Sequence, residues 1–185
     1  CVLAPRSSDK AAVLFPRAST DDIFFVARAI SQETCLPNKC SRLTVAFSSN
    51  RHLSGGSLVI LSGLEGMDFC ASCSAGGSGV CDPKDQHDFE GESYSGVALA
   101  DSAQSNHNQR FASLRERNSE GSWHSGTKSL LLRIEQGTVL EAYRTYSVSF
   151  TLKNNVEPAA VDLQSSVKIS AYAQESGTCY FKSTD

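Results

Sequence analysis

The sequence has no apolar run near the roughly 20 residues that cross a bilayer as a helix. Its longest apolar stretches, Ile23 to Ile30 and Ser57 to Leu64, are strand-sized, so this segment is not expected to insert in a membrane. Basic residues form no stripe: 17 Lys and Arg are scattered against 20 Asp and Glu, net −3. Phosphate binding needs clustered Lys and Arg, so nucleic acid is not an expected partner. No Asn-x-Ser/Thr sequon occurs, which leaves O-linked sugars on Ser/Thr-rich loops as the route to a glycoprotein. No Gly-x-Ser-x-Gly elbow occurs either. His52, His87, His107 and His124 lie in predicted loops or at strand ends among many serines, where closeness in sequence does not make a triad. No catalytic residue and no cofactor are assigned. An amphipathic helix longer than two turns is missing too, and the best local candidate, Phe111 to Arg117, is too short to stand alone.

What is there begins with seven cysteines in 185 residues, several of them in Ser/Gly-rich surroundings. Such cysteines read as disulfide partners, which persist in oxidising compartments, so an extracellular or cell-surface location is expected. The candidates are Cys35, Cys40, Cys70, Cys73, Cys81, Cys179 and Cys1. Cys35–Cys40 would close a short loop around Pro37-Asn38, and Cys70, Cys73 and Cys81 offer one more local bridge. Cys179 is placed to pair with Cys73, Cys70 or Cys1. The odd count leaves one cysteine free, joined to a neighbouring subunit, or joined outside this segment, and Cys1 is the natural one. The chain opens on Cys1 without an initiator Met or a signal peptide, as a mature chain or a piece of a longer one would.

Apolar residues recur with period two, which puts alternate side chains on one face of a strand. The sets are Leu43, Val45, Phe47; Leu130, Leu132, Ile134; Tyr146, Val148, Phe150, Leu152; and Val167, Ile169, Ala171. Leu58 to Leu61 is apolar on both parities, as a short strand covered on both sides would be. Phe24, Phe25 and Val26 favour a strand over Ile23 to Ile30. Gly55-Gly56, Gly63, Gly66, Gly121, Gly126, Gly137 and Asn154-Asn155 are turn signals between these runs. Strands of this length with such punctuation predict an all-β sandwich or barrel.

One stretch, 67–101, has the composition of a long loop insertion: Cys70, Cys73, Cys81, many Ser and Gly, and an acidic cluster. Cys70-x-x-Cys73 with Cys81 and His87 has the spacing of a partial zinc site, but structural zinc is normally built from two tight ligand pairs and one is present. A redox role for the same pair needs a thiol at a helix start, and no helix is predicted there. Asp68, Asp82, Asp85, Asp88, Glu90 and Glu92 are hard-oxygen ligands of the calcium kind, without the Asp-x-Asp-x-Asp-Gly run of an EF-hand. A solvated acidic loop and disulfides are the expected states. Trp123, beside Gly121 and His124, is either a sugar-stacking platform or a core plug.

The segment Leu43-Thr-Val-Ala-Phe-Ser-Ser-Asn50, then Leu53-Ser-Gly-Gly-Ser57 and Leu58-Val-Ile-Leu-Ser-Gly-Leu-Glu-Gly66, resembles a repeated domain of large secreted or surface proteins of algae and other protists. Gly121-Ser-Trp123, Lys128 to Ile134, Leu140, Tyr146-Ser-Val-Ser-Phe-Thr-Leu-Lys-Asn154 and Val167-Lys-Ile-Ser-Ala171 resemble its second half. The resemblance covers Phe24 to Ala173, and the cysteine-rich Met67 to Asp88 insertion and the many charges depart from it. It implies an immunoglobulin-like two-sheet sandwich used as a building block of surface coats or flagellar hairs (mastigonemes), with no catalytic residues.

The expected architecture is therefore an N-terminal extension (1–22), an immunoglobulin-like sandwich of about seven to nine strands (23–174) with a cysteine-rich insertion (67–101), and a C-terminal extension (175–185). The expected function is a structural module of an extracellular filament, flagellar hair, wall or coat, contacting other copies or other subunits. The alternative is a carbohydrate- or ligand-binding module that uses the insertion and Trp123.

Overall fold

In the strand Cys40–Ser49, Leu43, Val45 and Phe47 are fully buried while Arg42, Thr44 and Ala46 reach solvent, as period-two alternation requires. The same rule builds most of the molecule. The computed structural model describes residues 23–34, 36–70, 73, 87–89, 92–100, 107–154, 167–175 and 178–179. Among them the strands are β1 (Phe25–Gln32), β2 (Cys40–Ser49), β3 (Leu53–Ser54), β4 (Leu58–Ser62), β5 (Met67–Asp68), β6 (His87–Phe89), β7 (Glu92–Ala98), β8 (Phe111–Ala112), β9 (Glu120–His124), β10 (Ser129–Ile134), β11 (Val139–Leu140), β12 (Tyr146–Asn154), β13 (Lys168–Tyr172), β14 (Gln174–Glu175) and β15 (Thr178–Cys179). The fold is all-β, and every strand pairing is antiparallel. Among the described residues no helix is long and apolar enough to cross a membrane.

Four strands form one sheet in the order β1-β2-β12-β5. A larger sheet runs β13-β4-β10-β9-β7-β6, with β8 also on β10, and β3–β11 and β14–β15 are separate pairs. Inward cross-strand pairs Phe47↔Tyr146, Val45↔Val148 and Leu43↔Phe150 meet one apolar cluster shared with Val59, Leu61, Val97, Trp123, Leu130, Leu132 and Ile134 of the larger sheet. Phe47 touches Phe111 of β8 across the layers, with ring centroids 6.1 Å apart. Past β7 the chain changes sheets: Ala100 and Ser149 of β12 exchange backbone hydrogen bonds of 2.8 and 3.0 Å.

Several local expectations are corrected. Leu58 and Ile60 of β4 are only half-buried, so one face of that strand meets the core and the other is partly wet. Phe111 to Arg117 is not helical. Phe111 is drawn into the core as part of β8, and Glu116 and Ser119, at φ 62° and 57°, turn the chain back on itself. The stretch 67–101 is not all loop, since it contains β5, β6 and β7. Its strand signal is muted because Ser95 shares the inward face with Val97 and Leu99. Gly121 lies inside β9, not in a turn, because Leu130 and Leu132 fill the space where a side chain would be. Asn154 closes β12 from within: its Nδ2 donates to the carbonyls of Thr34 and Leu36, and its Oδ1 accepts from Gln32 Nε2. Residues 1–22, the expected N-terminal extension, lie outside the described residues.

Cys40 is joined to Cys73, 33 residues away with Cα atoms 5.4 Å apart, and not to Cys35. Strand register explains it. Lys153 of β12 lies opposite Cys40 on one side and Asp68 on the other, so the segment just past β5 is delivered to the start of β2. Cys70 is disulfide-bonded as well. With both sulfurs of Cys70-x-x-Cys73 oxidised, neither the zinc nor the dithiol reading of that motif holds, and Cys73 is closed to Cys179. Cys1, Cys35 and Cys81 lie outside the described residues, and Cys179 sits in β15 opposite Gln174.

Candidate functional site

Strand pairing gathers three segments at one end of the four-stranded sheet. β3 pairs with β11 and β2 with β12, so the connections 50–52 and 141–145 lie side by side. Tyr143 N–H donates to Ser49 O at 2.7 Å, and Ala142 N–H donates to His52 Nδ1 at 3.3 Å. The third segment is a single 3-10 turn, Asn108–Arg110, preceded by His107, whose Nδ1 accepts from Ser147 N–H at 3.1 Å.

Tyr146 organises this end. It is buried at the start of β12, and its hydroxyl oxygen accepts from the Glu141 N–H at 2.7 Å, tying the loop to the strand. The guanidinium carbons of Arg110 and Arg144 lie 5.8 and 5.9 Å from its ring centroid, and the His107 ring lies 5.1 Å away. Both cations are within the range of attraction to an aromatic face. Arg110 Nη1 also donates to Val139 O at 3.3 Å. Arg144 Nη1 pairs with Glu141 Oε2 at 2.8 Å, at the solvent surface. That hydrogen bond and charge hold the Glu141 carboxyl below its ordinary pKa, with smaller pulls from Arg110 and His52, and hold Arg144 above its own.

The same connection carries Tyr143. The residue is 72 % exposed and its φ is 60°, in the left-handed region that a bulky residue rarely adopts. Such a conformation costs about 1–3 kcal/mol and persists only where the surroundings enforce it. Here the enforcing contacts are its own N–H on Ser49 and the Glu141–Tyr146 and Ala142–His52 bonds beside it.

A second recess, of about 170 Å³, is lined by Ala112, Glu116, Asn118, Arg133, Glu135 and Gln136. Its charges satisfy one another: Arg133 Nη1 reaches Glu116 Oε1 at 2.9 Å, and Asn118 Nδ2 reaches Glu135 Oε1 at 2.6 Å.

The residue that sequence reasoning offered as a ligand contact is elsewhere. Trp123 is 1 % exposed, on the inward face of β9 between the sheets, so it has no free face for a sugar. Its Nε1–H has no hydrogen-bond partner among the described residues, which is consistent with a side chain recruited for its volume. The histidines are scattered. His52 belongs to the Tyr143 end and His107 packs on Tyr146, while His124 accepts from Thr127 N–H at 3.0 Å and packs at a tilt on Tyr94, ring centroids 4.9 Å apart. His87 lies in β6, opposite Tyr94. Of the acidic cluster, Asp68 is paired with Lys128; Asp88 and Glu92 lie in β6 and β7; Asp82, Asp85 and Glu90 are outside the described residues. Among the described residues no three His, Cys, Asp or Glu are gathered around one point.

Tyr143, Arg144 and Arg110 were not singled out from the sequence. The available signal was an aromatic flanked by charge, Glu141-Ala-Tyr-Arg144, in a connection between strands. A scan against family models, a search of curated proteins and a search of solved structures each found no match to this chain.

Proposed function

We propose that the chain is an immunoglobulin-like sandwich module of an extracellular or cell-surface assembly, of the filament, flagellar-hair, wall or coat kind, working through protein–protein contacts and without catalysis. Strand order supports the fold half of this reading. β1-β2-β12-β5 follows the A-B-E-D order of an immunoglobulin sheet, and β4 beside β13 follows C beside F. The strands β6 to β10 extend the larger sheet on the far side of β4 from β13. The Cys40–Cys73 bridge supports an oxidising location.

The observation that carries the functional half is the outermost strand. Among the described residues β1 has a single sheet neighbour, β2, and Val26 within it and Phe24 just before it are 45 % and 37 % exposed. Exposed apolar side chains at a boundary strand suit a contact with other copies of the chain. Sedimentation equilibrium of the disulfide-intact protein tests this. Reversible or stable multimers are expected, and Phe24→Lys with Val26→Lys should return them to monomer. A wild-type chain that stays monomeric up to millimolar concentration contradicts the proposal.

A further inference from the structure

Tyr143 is in the wrong place for a residue that serves only the fold. Its side chain contributes little to the core, and its backbone conformation is one that glycine or asparagine adopts more readily. The result is a solvent-exposed aromatic residue on a loop whose backbone is hydrogen-bonded in place. The same end of the sheet carries planar groups whose orientation is already set: Arg144 by Glu141 and the Tyr146 ring, Arg110 by Val139 O and the same ring, and His52 by Ala142 N–H.

We propose that this end of the four-stranded sheet binds an acidic saccharide, a pyranose bearing carboxylate or sulfate, with Tyr143 as the stacking platform and Arg144 and Arg110 as partners of the anion. The chemistry follows from the groups present. A pyranose offers an apolar face of C–H bonds to an exposed ring and hydroxyls around its rim. Each guanidinium has five N–H donors in a planar fork, and Arg110 gives one to Val139 O and Arg144 one to Glu141, so donors remain for a carboxylate or sulfate. Glu141 keeps Arg144 in place and accepts from sugar hydroxyls. Two guanidiniums against one carboxylate make the spot cationic on a chain whose net charge is −3, which selects acidic over neutral sugars. The lowered pKa of Glu141 fits a carboxylate sitting in the field of Arg144, Arg110 and His52. The inference is independent of the assembly reading, because it concerns the loop end and not β1.

Titration calorimetry of the full disulfide-intact chain decides it, with four probes: an oligogalacturonate, a sulfated galactose oligomer, the neutral galactose oligomer and an oligoglutamate peptide. Saturable binding of either acidic saccharide is expected, and the two acidic arms tell carboxylate from sulfate. Binding should be at least tenfold weaker for the neutral oligomer and for the peptide. Tyr143→Ala and Arg144→Gln should each lower affinity at least tenfold. Tyr143→Gly should abolish binding while the melting temperature stays level or rises, since strain is relieved; that pair of readouts separates a binding role from a structural one. No saturable binding of an acidic saccharide overturns the proposal, as does affinity within twofold of wild type in Tyr143→Ala. Equal binding of the neutral oligomer or of oligoglutamate overturns it as well.

Discussion

Replacing Gly121 with alanine asks whether the two leucines beside it are as tightly set as the backbone geometry implies. A Cβ at this position would lie 2.8 Å from Leu130 Cδ1 and 3.0 Å from Leu132 Cδ2, where carbon atoms prefer about 3.5–4.0 Å. Both leucines are fully buried in β10, so neither can swing into solvent. Overpacking of this kind costs about 1–3 kcal/mol. Alanine returns about 0.4–1 kcal/mol by restricting the unfolded chain, since Gly121 is not among the positive-φ glycines. Gly121→Ala is therefore expected to lose about 1–2 kcal/mol net of these two effects. Leu130→Ala alone leaves a cavity and should lose about 2–5 kcal/mol. In the double variant the new methyl occupies part of that cavity, free of the closer of the two clashes. Its loss should fall short of the sum of the singles by about 1–2 kcal/mol, well outside ordinary additivity. Urea unfolding followed by the fluorescence of Trp123, itself in the core, gives all four midpoints, with slopes expected to stay constant. A neutral or stabilising Gly121→Ala, or singles that add to within about 0.5 kcal/mol, would refute the packing argument.

Three further expectations rest on other parts of the fold. Cys40→Ala/Cys73→Ala opens a loop of 33 residues, worth about 3.7 kcal/mol in chain entropy and a melting temperature lower by about 7–15 °C. The loss is smaller where the Cys70 bridge spans part of the same interval, and peptide mapping without reductant should link Cys40 to Cys73. Asn154→Ala removes three hydrogen bonds and should lose about 1–3 kcal/mol. Asn154→Asp should melt lower still at pH 7, because its carboxylate faces the Thr34 and Leu36 carbonyls; equal melting of the two variants contradicts the assignment. The folded pKa of Glu141 lies below its unfolded value, so its ion pair adds stability above the ordinary carboxylate range, lost as pH falls through the lowered value. An NMR titration should give Glu141 a midpoint below that of an unfolded peptide, raised in Arg144→Gln, and no change in that variant argues against the pair.

How far the sequence reaches depends on the range of the interaction involved. Alternation in β2, β10 and β12 was legible because each strand's inward set is determined by side chains two residues apart, and all ten residues of those three sets are buried. β7 was missed for the converse reason: its inward face includes Ser95, so the apolar period is broken although the strand is made by pairing with β9. Gly121 and Asn154 carry turn residues that the fold uses otherwise, one as space for two leucines and one as a buried bracket for the 34–36 backbone.

Seven cysteines, a two-residue rhythm and the absence of helical stripes were enough, by themselves, to specify an all-β chain with disulfides. Tertiary structure alone decided which sulfurs meet, because β12 must first lie between β2 and β5 before Cys73 can reach Cys40. It also decided which aromatic faces water. Trp123 and Tyr143 both sit among polar neighbours in sequence, and only the register that turns one between the sheets and a loop that forces the other outward assigns them opposite environments.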